Sequence, residues 1–419
     1  MSDVLQLTSM CNRKFMPVLN QPQLTYVLTE LFPGPGMSNV RLPLNFALVL
    51  DRSGSMAGEK LRNVKEAVKQ IIDQLDPGDV VSIVTFETKT QVLAPAQPAT
   101  NKTDLKRLVD RIDDGGGTNM APGLREGINQ VRQWLGPDRT SRIVLLTDGE
   151  ATDEENDSRH EADFAGSVAV PIIGLGFGGK WKEEFVIDLA DRSIRAVGTK
   201  TGAAHYIPTP QDVNTVFQEV FSSMQIVAQD VTLNIRMVQG LEARRVWQVV
   251  PMIKDIGRSA IQGRAILVPV GQLEKGGAAY LVEMMLPPRP AGRVRVAQTD
   301  VTYNVPGRGQ QREAIDLIIE YTLEPSLANQ LEGRVMNIVE KVQAFKLQTQ
   351  ALDEAELGNV SGATQKLRQA VTILLSQGET QLAQQMQQEA DHLEQSGQIS
   401  SEGKKTIKLT SRKTVKLSE

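Results

Sequence analysis

The chain has 419 residues, 40% of them hydrophobic and 23% charged, with a formal net charge of -4. At ~150 residues per unit this length suggests about three folding units, and the composition makes a folded globular chain, not disorder, the default reading. The small net charge gives no electrostatic reason for nucleic acid or a membrane as partner, and one cysteine, Cys11, excludes a disulfide-stapled extracellular scaffold.

In chain order, the first segment, MSDVLQLTSMCNRKFMPVLNQPQ, has no basic stretch followed by an apolar core. No later run approaches the ~18 apolar residues that cross a bilayer, so the sequence reads as cytoplasmic and without membrane association. Within residues 1–43, Leu24, Tyr26 and Leu28 alternate before the turn at Pro33 to Gly36, which predicts one strand. Residues 44–223 alternate short apolar runs with amphipathic stretches, the pattern of a doubly wound α/β domain with a mostly parallel sheet. Its strands are expected to end at Leu50, Phe86, Thr147, Phe177 and Pro208, with helices from Glu59 to Leu75 and Thr103 to Ile112.

Across residues 224–323 the period becomes two. Val231, Leu233, Ile235 and Met237 alternate with polar neighbours, as do Ile315, Leu317, Ile319 and Tyr321. Six antiparallel strands are expected here, forming a β-sandwich into which the α/β domain is inserted. Residues 324–397 return to a helical period. Leu331, Val335, Ile338, Val342 and Phe345 share one stripe, Ala363, Leu367, Ala370 and Leu374 another, and Leu382, Met386 and Leu393 a third. This predicts a small helical unit, either bracing the sandwich or offering a face to a partner.

Residues 398–419 read as a disordered basic tail, with six Lys or Arg after Gly403 and no helical stripe. Lys405-Thr406-Ile407-Lys408-Leu409 recurs as Lys413-Thr414-Val415-Lys416-Leu417. Thr406 and Thr414 are thereby candidate sites for a basophilic Ser/Thr kinase, whose product a phosphothreonine-binding domain would read. A merely solubilising tail is the alternative.

Three loops carry the chemistry. Asp51-Arg52-Ser53-Gly54-Ser55 follows an apolar strand and precedes a helix, which puts one carboxylate and two hydroxyls at the carboxyl end of that strand, where open α/β sheets bind ligands. Alone, the motif is equally a helix cap. Asp114-Gly-Gly-Gly-Thr118-Asn119 then brings a hydroxyl after a glycine loop, and Thr147-Asp148-Gly149 closes another apolar strand. A hard cation such as Mg²⁺ takes oxygen ligands and keeps several waters, which suits few carboxylates and several hydroxyls.

With these elements the chain resembles the von Willebrand factor type A (VWA) family over roughly Leu44 to Ser223, and its metal-ion-dependent adhesion site over D-x-S-x-S, Thr and T-D-G. The resemblance implies that Ser53, Ser55 and Thr118 approach a divalent ion directly or through water, while Asp51 and Asp148 act mainly from behind them. It also implies Mg²⁺, with Mn²⁺ or Ca²⁺ as alternatives, and an open position for a Glu or Asp of a protein partner. The resemblance further suggests that the helix from Gln211 to Met224 could shift on ligation, as in the integrin relatives. The sandwich and helical additions are similar to those of bacterial and cyanobacterial proteins carrying this domain.

Rival readings have less support. Gly174-Leu-Gly176-Phe-Gly178-Gly179 matches a dinucleotide fingerprint, but it follows a late strand and no acidic residue closes a next strand about twenty positions on. His160, His205 and His392 are scattered, Ser53 is not in G-x-S-x-G, and no zinc motif occurs, so a hydrolase is not expected. The acidic run Asp153 to Asp157 is read as a solvated loop near the metal rim. The alternative non-enzymatic function is an adaptor subunit of a larger assembly, for example beside an ATPase, with a second interface on the helices or tail.

Overall fold

The computed structural model describes residues 4–37, 41–148, 155–179, 181–194 and 203–410. It divides into two compact units, residues 41–227 and a second built from 1–40 with 228–419. The first is therefore an insertion in the sequence of the second.

The inserted unit is an α/β fold, as its sequence pattern predicts. Among the described residues its sheet has six strands in the order Thr90–Pro98, Val80–Phe86, Leu44–Asp51, Thr140–Thr147, Ile172–Phe177 and Ala203–Ile207. All neighbours are parallel except the edge pair of Thr90–Pro98 with Val80–Phe86. The edge strand was not foreseen, because Pro95 and Pro98 interrupt its pattern, and an edge position is where a ladder tolerates proline. Strands Leu44–Asp51 and Thr140–Thr147 are buried at every residue, as strands covered on both faces must be.

Helices cover both faces. In Glu59–Gln74 the apolar residues Leu61, Val64, Val68, Ile71 and Ile72 recur at helical spacing and join a core with Phe46, Leu48, Leu50 and Phe217 of helix Val213–Ser223. On the other face, Leu124, Ile128 and Val131 of helix Met120–Arg132 pack with Ala47, Val49 and Leu145. Gly127 lets that helix approach the sheet, since a Cβ there would stand 2.5 Å from Val49 Cγ2. Gly127→Ala is expected to destabilise the protein by ~1–3 kcal/mol through this overlap, against a helix-propensity gain of about 1 kcal/mol. A net fall in melting temperature checks it.

The second unit holds two sheets. One has the order Leu5–Cys11, Gln23–Pro33, Ala278–Leu286, Glu242–Val250 and Lys254–Gly257, and is antiparallel at each pairing. The other runs Ile261–Gln262, Ala265–Glu274, Ile226–Met237, Gly292–Val305, Gly309–Thr322 and Phe15–Pro17, with the last pair parallel. The N-terminal segment thus contributes three strands rather than one. Val231, Leu233, Ile235 and Met237 are all buried, as their alternation required. Cys11 ends a strand and is buried, which pushes its thiol up to about 12 and keeps it protonated at neutral pH.

Helix Gly333–Glu356 has two apolar faces. Val335, Ile338, Val342 and Phe345 pack on Leu28, Trp247, Ala279 and Leu281 of the first sheet, whereas Ala351 and Leu352 pack on helices Val360–Ser376 and Thr380–Ser396. This helix braces the sheet, the first of the two roles open for it. Leu331, read as part of its stripe, is instead exposed and lies before the helix.

The expected disordered tail is corrected over its first part. Ser401–Lys405 is α-helical and Thr406–Thr410 continues as π-helix. Gly403 lies so close to Glu389 that a Cβ would meet its Cδ at 2.2 Å, and Ser400 Oγ donates to Glu389 Oε2 at 2.7 Å. Lys405, Thr406 and Ile407 are buried, and the Thr406 hydroxyl donates to the carbonyl of Glu402 at 3.0 Å. Thr406 is therefore no accessible phosphorylation site in this fold. Thr414 lies outside the described residues.

Candidate metal centre

The sheet order places Leu44–Asp51 where the chain first crosses to Val80–Phe86 and later returns to Thr140–Thr147 on the other side. This is the switch point of the sheet, and its crevice opens at the strands' carboxyl ends. Leu50 pairs with Leu146 in register, so Asp51 emerges beside Thr147 and Asp148 one position beyond.

Asp51 is 0% exposed. Its Oδ1 accepts from the Ser53 backbone N–H at 2.8 Å and its Oδ2 from the Thr147 hydroxyl at 2.8 Å. Burial pushes its carboxyl above the usual range; the hydrogen bonds from Ser53 and Thr147 oppose this, and the charge of Asp148 adds to it. Ser53 Oγ and Ser55 Oγ lie 3.1 Å apart, and Ser55 Oγ donates to Asp148 Oδ1 at 2.7 Å. Asp51, Ser53, Ser55 and Asp148 thus form one continuous hydrogen-bonded group.

The glycine loop is fastened to the serine loop by backbone bonds. Gly54 N–H donates to Gly116 O at 3.0 Å, and Gly115 N–H donates to Arg52 O at 2.7 Å. A Cβ on Gly115 would stand 2.8 Å from Glu87 Cγ, so glycine is required there for this approach. Arg52 donates to Asp113 O at 3.0 Å, a further tie between these two loops, and pairs at 3.3 Å with Glu87, which follows strand Val80–Phe86. Two residues after Gly116, Thr118 is half-buried at the end of this glycine loop, and the next residue anchors it, Asn119 N–H donating to Glu87 O at 2.7 Å.

These residues fit a divalent cation. Their donors are all oxygen, a serine hydroxyl can donate its proton to a carboxylate and still turn a lone pair to an ion, and a positive group, the Lys60 ammonium, already bonds Asp148 Oδ2. Among the described residues no three of His, Cys, Asp and Glu gather as metal ligands, so the oxygens here come largely from hydroxyls rather than from a carboxylate cage. Arg52 lies inside the D-x-S-x-S motif, but nothing in the sequence points to the pairing roles of Glu87 or Lys60.

Other candidates fall elsewhere. Gly174 and Gly176 lie within strand Ile172–Phe177, where a Cβ would stand 2.3 Å from Val186 Cγ1 and 2.2 Å from Trp181 Cδ2, respectively, so they are packing glycines. Glu155 to Asp157 begin helix Glu155–Ser167 rather than continuing a loop, and Glu155 pairs with Arg159 and Lys182; Asp153 and Glu154 lie outside the described residues. Among the described residues no helix is long and apolar enough to cross a membrane.

Comparison with known proteins agrees with this architecture. Residues 45–218 match the von Willebrand factor type A domain, and residues 333–417 match the Sll0103-like, C-terminal alpha-helical domain. The second match runs through the segment read from sequence as a tail. The chain is 26% identical over 389 residues to the uncharacterized protein sll0103 of Synechocystis sp., covering 90% of this chain and 89% of that protein. It is 34% identical over 161 residues to inter-alpha-trypsin inhibitor heavy chain H3 of Rattus norvegicus, covering 36% of this chain but only 18% of that one. A solved von Willebrand factor type A structure from Catenulispora acidiphila aligns with TM-score 0.69 at 18% identity, over 99% of this chain and 98% of that one, which shows the shared fold. The chain therefore contains a VWA domain and an Sll0103-like helical domain, and it has a cyanobacterial homologue.

Proposed function

We propose that this chain is an intracellular, metal-dependent protein-binding module. VWA domains are metal-dependent protein-interaction modules, and the hydrogen-bonded group Asp51–Ser53–Ser55–Asp148 at the switch point is the observation that carries the reading to this chain. Ser53, Ser55 and Thr118 would offer hydroxyl oxygens to a divalent ion, with Mg²⁺ the first candidate and Mn²⁺ or Ca²⁺ the alternatives. Asp51 and Asp148 would orient those hydroxyls by hydrogen bonds and supply negative charge from behind them. When bound, the ion supplies an electrophilic position for a Glu or Asp carboxylate of the partner. Binding of this kind requires no turnover and no general base.

The test is affinity capture from host lysate with wild type and Asp51→Ala, each in Mg²⁺ and in chelator, with bound proteins identified by mass spectrometry. A partner retained only by wild type in Mg²⁺ supports the proposal. An identical captured set in all four conditions, with the variant folded, would remove the metal site as the main interface.

A further inference from the structure

We propose that Lys60 is a tethered counter-cation of the metal centre, which holds divalent-ion affinity down and keeps Asp148 satisfied; the inference rests on the metal-site reading above. Lys60 is the second residue of helix Glu59–Gln74, a few residues beyond the serine loop. Its ammonium donates to Asp148 Oδ2 and to the Ser55 carbonyl at 3.1 Å, and it stands 5.4 Å from the centroid of the Phe177 ring. A rim lysine ordinarily extends its head into water. Here a side chain 32% exposed turns its head onto a carboxylate side chain that is 1% exposed.

Three contacts of different kinds hold that head: an ion pair, a carbonyl and an aromatic face. Because Ser55 Oγ occupies the other oxygen of Asp148, both carboxylate oxygens already have donors. Two negative charges, Asp51 and Asp148, therefore face a divalent ion together with one fixed positive charge. The ammonium repels the ion, which lowers its affinity. It also leaves the loaded centre with more positive charge, which favours an incoming carboxylate. Without Lys60, Asp148 would be buried with its charge uncompensated until an ion arrived.

The experiment is Mn²⁺ titration of the full chain by electron paramagnetic resonance for wild type, Lys60→Met, Lys60→Arg and Asp51→Ala. Melting curves in chelator and in saturating Mn²⁺ accompany it. Lys60→Met is expected to bind Mn²⁺ at least about tenfold more tightly, because one unit of repulsion beside a doubly charged ion is removed. It should also melt below wild type in chelator and lose that deficit in Mn²⁺, whereas Lys60→Arg should stay near wild type. A purely structural lysine would lower both melts equally and leave Mn²⁺ affinity unchanged, and that result would overturn the proposal, as would weaker Mn²⁺ binding by folded Lys60→Met. If Lys60→Met does not fold, Lys60→Gln is read by the same criteria. Folded wild type that binds no Mn²⁺ would overturn the metal-site reading itself, and with it this inference.

Discussion

Asp51→Asn protein is expected to lose the rise of melting temperature that Mn²⁺ gives the wild type, yet to melt in chelator at neutral pH at or above the wild-type temperature. The two effects have one cause. Asp51 is fully buried, and burial holds its folded-state pKa above the ordinary value. A carboxyl of this kind contributes stability that is fully present below its unfolded pKa of ~3.9 and is lost as pH rises through the folded pKa. At neutral pH its ionised form therefore weighs against folding, and an amide of the same shape removes that weight. Asparagine still accepts from the Ser53 N–H and can donate toward Thr147 in place of accepting.

Metal binding reverses the balance. An ion that binds only the folded state stabilises it by about 2.7 kcal/mol at a hundredfold excess over Kd, and the buried charge becomes useful only then. Melting curves of both proteins in chelator across pH 4 to 8 should converge at low pH, where Asp51 is protonated, and separate as pH rises. Asp51→Asn that still responds to Mn²⁺ would refute a role for the carboxylate in ion binding. A variant less stable than wild type in chelator at neutral pH would show that the hydrogen bonds outweigh the burial of charge.

How much of this was legible in the sequence follows from the range of the forces involved. The strands around the switch point are near-continuous apolar runs, and their burial on both faces is a local property that composition reveals. The three loops were legible because each has a chemical signature directly after such a strand. What fastens the loops was not, since Arg52 with Glu87 and Lys60 with Asp148 are 35 and 88 positions apart and no periodicity links them. The tail was misread for a related reason. Lysines around Ile407 and Leu409 hide a short apolar contact, and the segment becomes helical by docking Ser400 and Gly403 on Glu389, a residue on a different helix.

The second large effect concerns the other unit. Trp247→Ala is expected to destabilise it by about 3–5 kcal/mol, the range for deleting a buried aromatic side chain, and urea unfolding followed by circular dichroism would measure it. Trp247 is 2% exposed and packs with Val335, Ile338, Val342 and Phe345, so its loss opens a cavity between the sheet and the bracing helix Gly333–Glu356. Its indole N–H donates to Glu283 Oε1 at 3.0 Å, while Lys346 reaches the same oxygen at 2.7 Å and stands 4.7 Å from the ring centroid. Truncation therefore removes area, a hydrogen bond and a cation–π contact at once. Trp247→Phe separates these contributions: it keeps most of the area and a ring for Lys346, and should lose only about 1 kcal/mol with the hydrogen bond. If Phe proved as damaging as Ala, the polar link through Glu283 would dominate the clasp. Asp51, Ser53, Ser55 and Asp148 belong to the inserted unit, which has its own core, so Mn²⁺ affinity of Trp247→Ala measured below its melting range should equal that of wild type. A joint loss of both would instead mean that the inserted unit depends on the second unit for its fold, and the metal centre would then report on the stability of the whole chain.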